Sequence, residues 1–192
     1  MTQIKSQKAQ LRKLFRAERA ERFAISQLNS RSTSQTLFLH LLESPEIKKS
    51  KCVTSYFSIN DEPSTLYLNR ALISAGKTVL LPRVFGRTLE WVKWDGKKTS
   101  LAEQRGLLEP AGPAIADFSI IDAVIVPTLA MDFQGYRLGQ GGGFYDRSLP
   151  NMPGWRVGLI YENEISDEPL PHENHDMKLD AAATANTLIR FS

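Results

Sequence analysis

The 192-residue chain contains one cysteine, Cys52. An internal disulfide and a cysteine-built zinc site are therefore excluded, and a reducing, cytoplasmic setting is expected. No apolar run approaches the roughly 20 residues needed to span a bilayer. The basic N-terminus also lacks the continuous apolar stretch of a secretory signal. Internal repeats, low-complexity tracts and clear linkers are missing too, so one compact domain over residues 1–192 is expected. Apolar residues make up 42% and charged residues 23%, as in ordinary globular proteins.

The net charge of +3 is unevenly spread. Residues 1–31 hold eight Lys or Arg against two Glu, which leaves −3 for the remainder. The spacing predicts a basic amphipathic helix over residues 1–27, starting near residue 3. Ile4, Leu11, Leu14 and Phe15 share one sector, and Lys5, Lys8, Arg12, Arg16 and Arg19 share the next. Such a face is either solvated or a seat for a polyanion, and the pattern alone does not choose. Its lack of nearby acidic residues suggests a helix that orders only when an anion binds. Nucleic acid is disfavoured, because aromatics are not interleaved with the basic residues.

Further along, a second helix is predicted over 32–43, and another over 65–75 closed by Gly76. Strands are expected at 51–59, 77–84, 88–94, 120–128 and 155–161, with a short one in the last dozen residues. Residues 94–113 read as loop. Apolar strands alternating with helices predict an α/β fold with a largely parallel sheet. Ligands bind such sheets outside the carboxyl ends of the strands. The polar segments NDE (60–62), RLGQGGGFYDRSL (137–149) and PHENHD (171–176) each follow a strand and should share that edge.

Four glycines in five positions, 139–143, let successive backbone N–H groups face one anion. A helix beginning near Gly143 would add its positive end. The loop matches neither GxxxxGK[ST] nor GxGxxG, and a flexible surface turn is the plainer alternative. Asp146 and Asp176 could hold Mg²⁺ where phosphate oxygens complete the shell, or could be surface carboxylates. His175 beside Asp176 is more ordinary as a loop histidine than as a ligand or base. Glu62 could cap the helix near Ser64 or accept the paired N–H donors of a pterin or guanine ring.

The stretch VIVPTLAMDFQGYRLGQGGGFYDRSL resembles the 5-formyltetrahydrofolate cyclo-ligase (5,10-methenyltetrahydrofolate synthetase) family. KAQLR (8–12), YFSINDEPST (56–65), LPR (81–83) and HENHDMKLDAAAT (172–184) extend the resemblance over most of the chain. It implies a three-layer α/β/α fold like that of sugar-isomerase and CoA-transferase-like proteins. It also implies ATP- and Mg²⁺-dependent conversion of 5-formyltetrahydrofolate to 5,10-methenyltetrahydrofolate, with ADP and phosphate released. By the same resemblance, ATP is held by Lys8, Arg12, Arg137, Gly139, Gln140, Gly141, Gly142, Gly143, Phe144 and Tyr145, with Arg137 as a phosphate stabiliser. The folate meets Phe57, Glu62 and the Gln140–Phe144 stretch, and Asp146 and Asp176 carry Mg²⁺. No covalent nucleophile is implied, and a monomer acting on small molecules is expected. The alternative is a non-catalytic nucleotide or folate binder of the same fold, which predicts a broken metal pair or a lost Lys8; all three residues are present. Two departures stand out. Phe144 occupies a position where tyrosine is common, and Asn163 and Glu164 follow the 155–161 strand where the family often has glutamine.

Overall fold

In a computed structural model of the chain, residues 3–28, 38–104 and 106–191 are described. The helices are α1 (Gln3–Leu28), α2 (Pro45–Lys49), α3 (Leu66–Ser74) and α4 (Phe144–Ser148). The strands are β1 (Cys52–Thr54), β2 (Thr78–Phe85), β3 (Thr88–Lys93), β4 (Leu101–Gln104), β5 (Leu107–Pro110) and β6 (Ala123–Pro127). They continue as β7 (Ala130–Asp132), β8 (Arg137–Leu138), β9 (Trp155–Leu159), β10 (Ile165–Ser166), β11 (Ala181–Ala183) and β12 (Leu188–Arg190). A seven-stranded sheet has the order β12-β11-β9-β6-β1-β2-β3. Its five inner strands pair in parallel, and only the edges β3 and β12 run antiparallel.

The layers follow from the two-residue period of these strands. Val53, Val79, Leu81, Ala123, Ile125, Val157, Leu159, Ala181 and Ala183 face one side, where they meet Leu68 and Leu72 of α3, Phe38, Leu41 and Ile47. Cys52, Leu80, Val124, Val126 and Ala182 face the other, against Leu149, Met152, Ile121 and the partly buried Tyr145 of α4. The expected α/β fold with its parallel sheet is therefore present. The second covering layer is thin, made of α4 and the 3-10 turns Phe118–Ile120 and Leu149–Asn151.

Some expectations need correction. Residues 32–37 of the second predicted helix lie outside the described residues. The rest of that helix is a 3-10 turn, Leu39–Glu43, followed by α2. Pro45 sits at the start of α2, where a missing N–H costs nothing, and the Ser44 side chain accepts from Ile47 N–H. The 51–59 strand shortens to three residues, because the chain leaves the sheet to form the edge loop. The stretch read as loop at 94–113 contains the hairpin β4–β5, whose two-residue period is too short to see in sequence. Beyond the central sheet, β10, β7 and β8 form a small sheet. Leu129, Ala130, Leu138 and Leu170 pack there against Phe15 of α1. Helix α1 thus covers the carboxyl edge instead of a sheet face.

Gly154 feeds the chain into β9 with φ +94°, and a Cβ there would come 2.5 Å from the carbonyl carbon and oxygen of Asp122. That same oxygen accepts from Trp155 N–H at 3.0 Å. Gly154→Ala should therefore cost about 2–4 kcal/mol through left-handed strain and displaced backbone. Urea unfolding should show a lowered midpoint at unchanged slope.

Candidate active site

The carboxyl edge encloses a cleft of about 810 Å³. Every residue assigned by resemblance lines it: Lys8 and Arg12 from α1, Phe57 and Glu62 after β1, Arg137 of β8, the Gly139–Tyr145 loop, Asp146 and Asp176. The convergence follows from the parallel inner strands, which send all three polar segments out on the same side.

Helix α1 is fastened by one group above all. Arg19 and Glu164, each with 1% of the side chain exposed, form a two-bonded ion pair at 2.7 Å and 2.7 Å. Arg19 also donates to the Thr128 carbonyl at 2.6 Å, directly beyond β6. Glu164 accepts in addition from Tyr161 N–H at 2.8 Å. Both are buried at the carboxyl edge, and the carboxylate holds the Arg19 pKa above its ordinary value against the opposing effect of burial. Arg22 lies over the Tyr161 ring, 4.4 Å from its centroid, and donates to Asn163. Asn163 and Glu164, the second of the two departures from the family pattern, therefore both hold α1. The idea that its basic face lacks acidic partners is wrong, because Glu164, Glu173 and Asp176 come from distant segments.

Arg19 fixes the rotation of the helix, and Arg12 and Lys8 lie on the same face about two and three turns away. Lys8 is buried and donates to Asp176, with Glu173 at 3.9 Å. Arg12 Nε donates to the Gly139 carbonyl at 2.8 Å. Arg16 donates to the carbonyl and side-chain oxygens of Gln140 at 2.8 and 2.9 Å. Burial and the neighbouring Arg16 lower the Arg12 pKa, while Asp176 and Asp146 oppose them. Arg137 joins the loop to its metal candidate, donating to Asp146 at 2.6 Å and to the Met177 carbonyl at 3.1 Å.

Glycine requirements differ along the loop. Gly141 and Gly143 have φ of +101° and +66°, and Gly142 has no room for a side chain beside the Phe144 ring. Gly139 has no neighbour within 4 Å of a Cβ, so the fold alone does not demand glycine there. Helix α4 begins at Phe144, as expected, but spans only five residues. The Arg147 guanidinium lies 5.3 Å from the Phe144 ring centroid, using the ring without a hydroxyl.

Asp176 is held below the usual carboxylate range: burial opposes this, and the bonds from Lys8 and from Glu173 N–H outweigh it. Among the described residues no three His, Cys, Asp or Glu side chains converge as a metal cage. The donor set of Asp146 and Asp176 suits a cation that takes its other ligands from phosphate and water, as Mg²⁺ does. His175 is exposed, with Nε2 3.9 Å from Glu173.

Phe57, also in the cleft lining, meets Trp94 edge to face at 5.2 Å. Glu62 does not cap α3; its Oε2 accepts from Ile59 N–H at 3.1 Å, and burial raises its pKa. Sequence reasoning put Arg16 on the basic face without a site role and passed over Arg147, Glu173 and Tyr56, all close to residues it did choose. The i, i+4, i+8 spacing of Lys8, Arg12 and Arg16 was the available signal.

Cations and bare glycine backbone suited to phosphate share one cleft with a carboxylate and an aromatic ring suited to a planar heterocycle. The 5-formyltetrahydrofolate cyclo-ligase family model matches residues 4–185, and the chain belongs to that family. It is 32% identical to the 5-formyltetrahydrofolate cyclo-ligase of Haemophilus influenzae, over 88% of this chain and 95% of the relative. With the Mycolicibacterium smegmatis cyclo-ligase it shares 33% identity, over 67% and 71%. The solution structure of Aquifex aeolicus 5,10-methenyltetrahydrofolate synthetase superposes with a TM-score of 0.79 at 30% identity, covering 95% of this chain and 92% of that one.

Two expectations follow from this geometry. Arg19→Met or Glu164→Gln alone should destabilise by about 3–5 kcal/mol, because each strands a buried partner, and the double variant should recover part of the loss; chemical denaturation measures both. Glu62 binds its proton more tightly folded than unfolded, so its contribution to stability falls as pH rises from the ordinary carboxylate range through its raised folded pKa. Glu62→Gln should remove that part of the slope and leave the variant at least as stable as wild type at pH 7, read from melting temperature against pH.

Proposed function

We propose that the chain converts 5-formyltetrahydrofolate to 5,10-methenyltetrahydrofolate, consuming ATP and releasing ADP and phosphate, as a monomer in the cytoplasm. Family membership and the activity named for the relatives support the reaction. The observation that carries the assignment to residues is that the candidates for both substrates line a single cleft.

In this reading the triphosphate lies along α1 and the glycine loop. Lys8 and Arg12, which bond Asp176 and the Gly139 carbonyl, turn to phosphate oxygens. Asp146 and Asp176 would hold Mg²⁺, which supplies charge neutralisation on the phosphates. Phe57 packs against the pterin, and Glu62 accepts its N–H groups. The formyl oxygen attacks the γ-phosphorus and ADP leaves. N10 then attacks the formyl carbon, loses its proton, and phosphate departs as the five-membered ring closes.

An amide oxygen leaves badly and a phosphate well, so phosphorylation converts a stable formamide into an electrophile. Positioning and charge stabilisation meet most of that demand, which suits a site without a covalent nucleophile. Arg137, buried beside the loop, supplies a fixed positive charge for the transferred group. Cys52 is poorly suited to thiol chemistry, because burial pushes its pKa up to about 11.

The test follows the near-ultraviolet absorbance of the methenyl product after mixing protein, 5-formyltetrahydrofolate and Mg·ATP. Wild type should turn over only with ATP. Lys8→Ala and Asp146→Asn should each lose at least about 30-fold in kcat/KM, the value of a charged hydrogen bond made in the transition state. Binding without turnover in wild type would replace this reading with the non-catalytic binder.

A further inference from the structure

Tyr56 leaves β1 at the carboxyl edge, next to Phe57 and six residues before Glu62. The residue is among those that line the cleft, yet it is only 3% exposed. Its ring packs into the core face that contains Leu68 and Leu72. Its carbonyl is gripped twice, by Thr65 Oγ1 at 2.6 Å and by Asn69 Nδ2 at 2.9 Å. A residue held this firmly presents its hydroxyl in a fixed place. That hydroxyl is buried and has no hydrogen-bond partner. Buried polar atoms are seldom left unpaired unless something else completes them.

We infer that the Tyr56 hydroxyl is a substrate-orienting donor that bonds the ring carbonyl of the pterin, beside the N–H edge accepted by Glu62. The inference rests on the function proposed above and adds a specificity residue to it.

Chemistry supports the pairing. A reduced pterin presents in a row one carbonyl acceptor, one ring N–H and one amino group. A carboxylate matches the two donors, and a neighbouring phenol matches the acceptor. Adenine presents an amino donor beside a ring-nitrogen acceptor, which the same carboxylate and phenol fit poorly. Tyr56 with Glu62 therefore sorts the two ligands of one cleft, keeping the base of ATP out of the pterin end. Burial, and after it the charge of Glu62, hold the phenol well above its ordinary pKa, so it remains a donor throughout the physiological range. The rival use of the hydroxyl is internal: a trapped water, or the buried and unpartnered Nη1 of Arg19.

The test titrates the full chain with 5-formyltetrahydrofolate in a calorimeter, without ATP, as wild type and as Tyr56→Phe. A second titration uses the 4-amino-4-deoxy analogue of the same reduced folate, in which an amino donor replaces the ring carbonyl. Tyr56→Phe should bind 5-formyltetrahydrofolate about tenfold more weakly, as one lost buried hydrogen bond predicts. Binding of the analogue and of ATP should stay within twofold, and the melting temperature should not fall. Unchanged binding of 5-formyltetrahydrofolate, or an equal loss for the analogue, would overturn the inference and assign the hydroxyl to packing or internal water. Wild type that binds ATP but not 5-formyltetrahydrofolate would instead overturn the proposed function, and this inference with it.

Discussion

The buried pair of Arg19 and Glu164 is the constraint on which the cleft depends. Helix α1 carries a row of cations that repel one another, and nothing in its own turns tells that row where to lie. Glu164, Tyr161 N–H and the Thr128 carbonyl together decide it. Desolvating two charges is expensive, so such a pair is weak evidence of stability for its own sake. It does fix one docking position, because any other rotation of α1 would bury Arg19 or Glu164 alone. Lys8 and Arg12 reach the glycine loop as a consequence.

The parallel sheet supplies the other half of the arrangement. Strands running the same way deliver their following loops to one edge, so an acidic loop, a glycine loop and an Asp-containing loop meet although they lie up to about a hundred residues apart. Opposite charges around the cleft neutralise one another in pairs, Lys8 of α1 with Asp176 and Arg137 with Asp146. In the proposed reaction the same charges serve phosphate and metal, so the groups that pair across the cleft are those the ligands would recruit. Gly141 and Gly143 meet backbone demands, whereas the space at Gly139 is left open toward the cleft.

The α/β class, most central strands and α1 were legible in sequence because each rests on a local period. The family was legible because its motif is long and ordered. The β4–β5 hairpin was not, since its strands are four residues each and only one of them is regularly buried. Glu164 looked like an unexplained departure and Arg19 like one more surface cation, because neither has a neighbour in sequence that reveals the other. Tyr56 was hidden for a similar reason: an aromatic residue at a strand end reads as core, and part of it is.

The sequence by itself determined where the chain alternates, where its backbone must turn without side chains, and which residue types are available to hold phosphate, metal and heterocycle. These are properties of neighbours a few residues apart, set by sterics and periodicity. Tertiary structure alone decided that α1 faces inward, which carboxylate meets which cation, and which hydroxyls are left without a partner. Those outcomes depend on desolvation and on pairings between segments 100 or more residues apart, whose energies exist only once the sheet has brought them to the same edge.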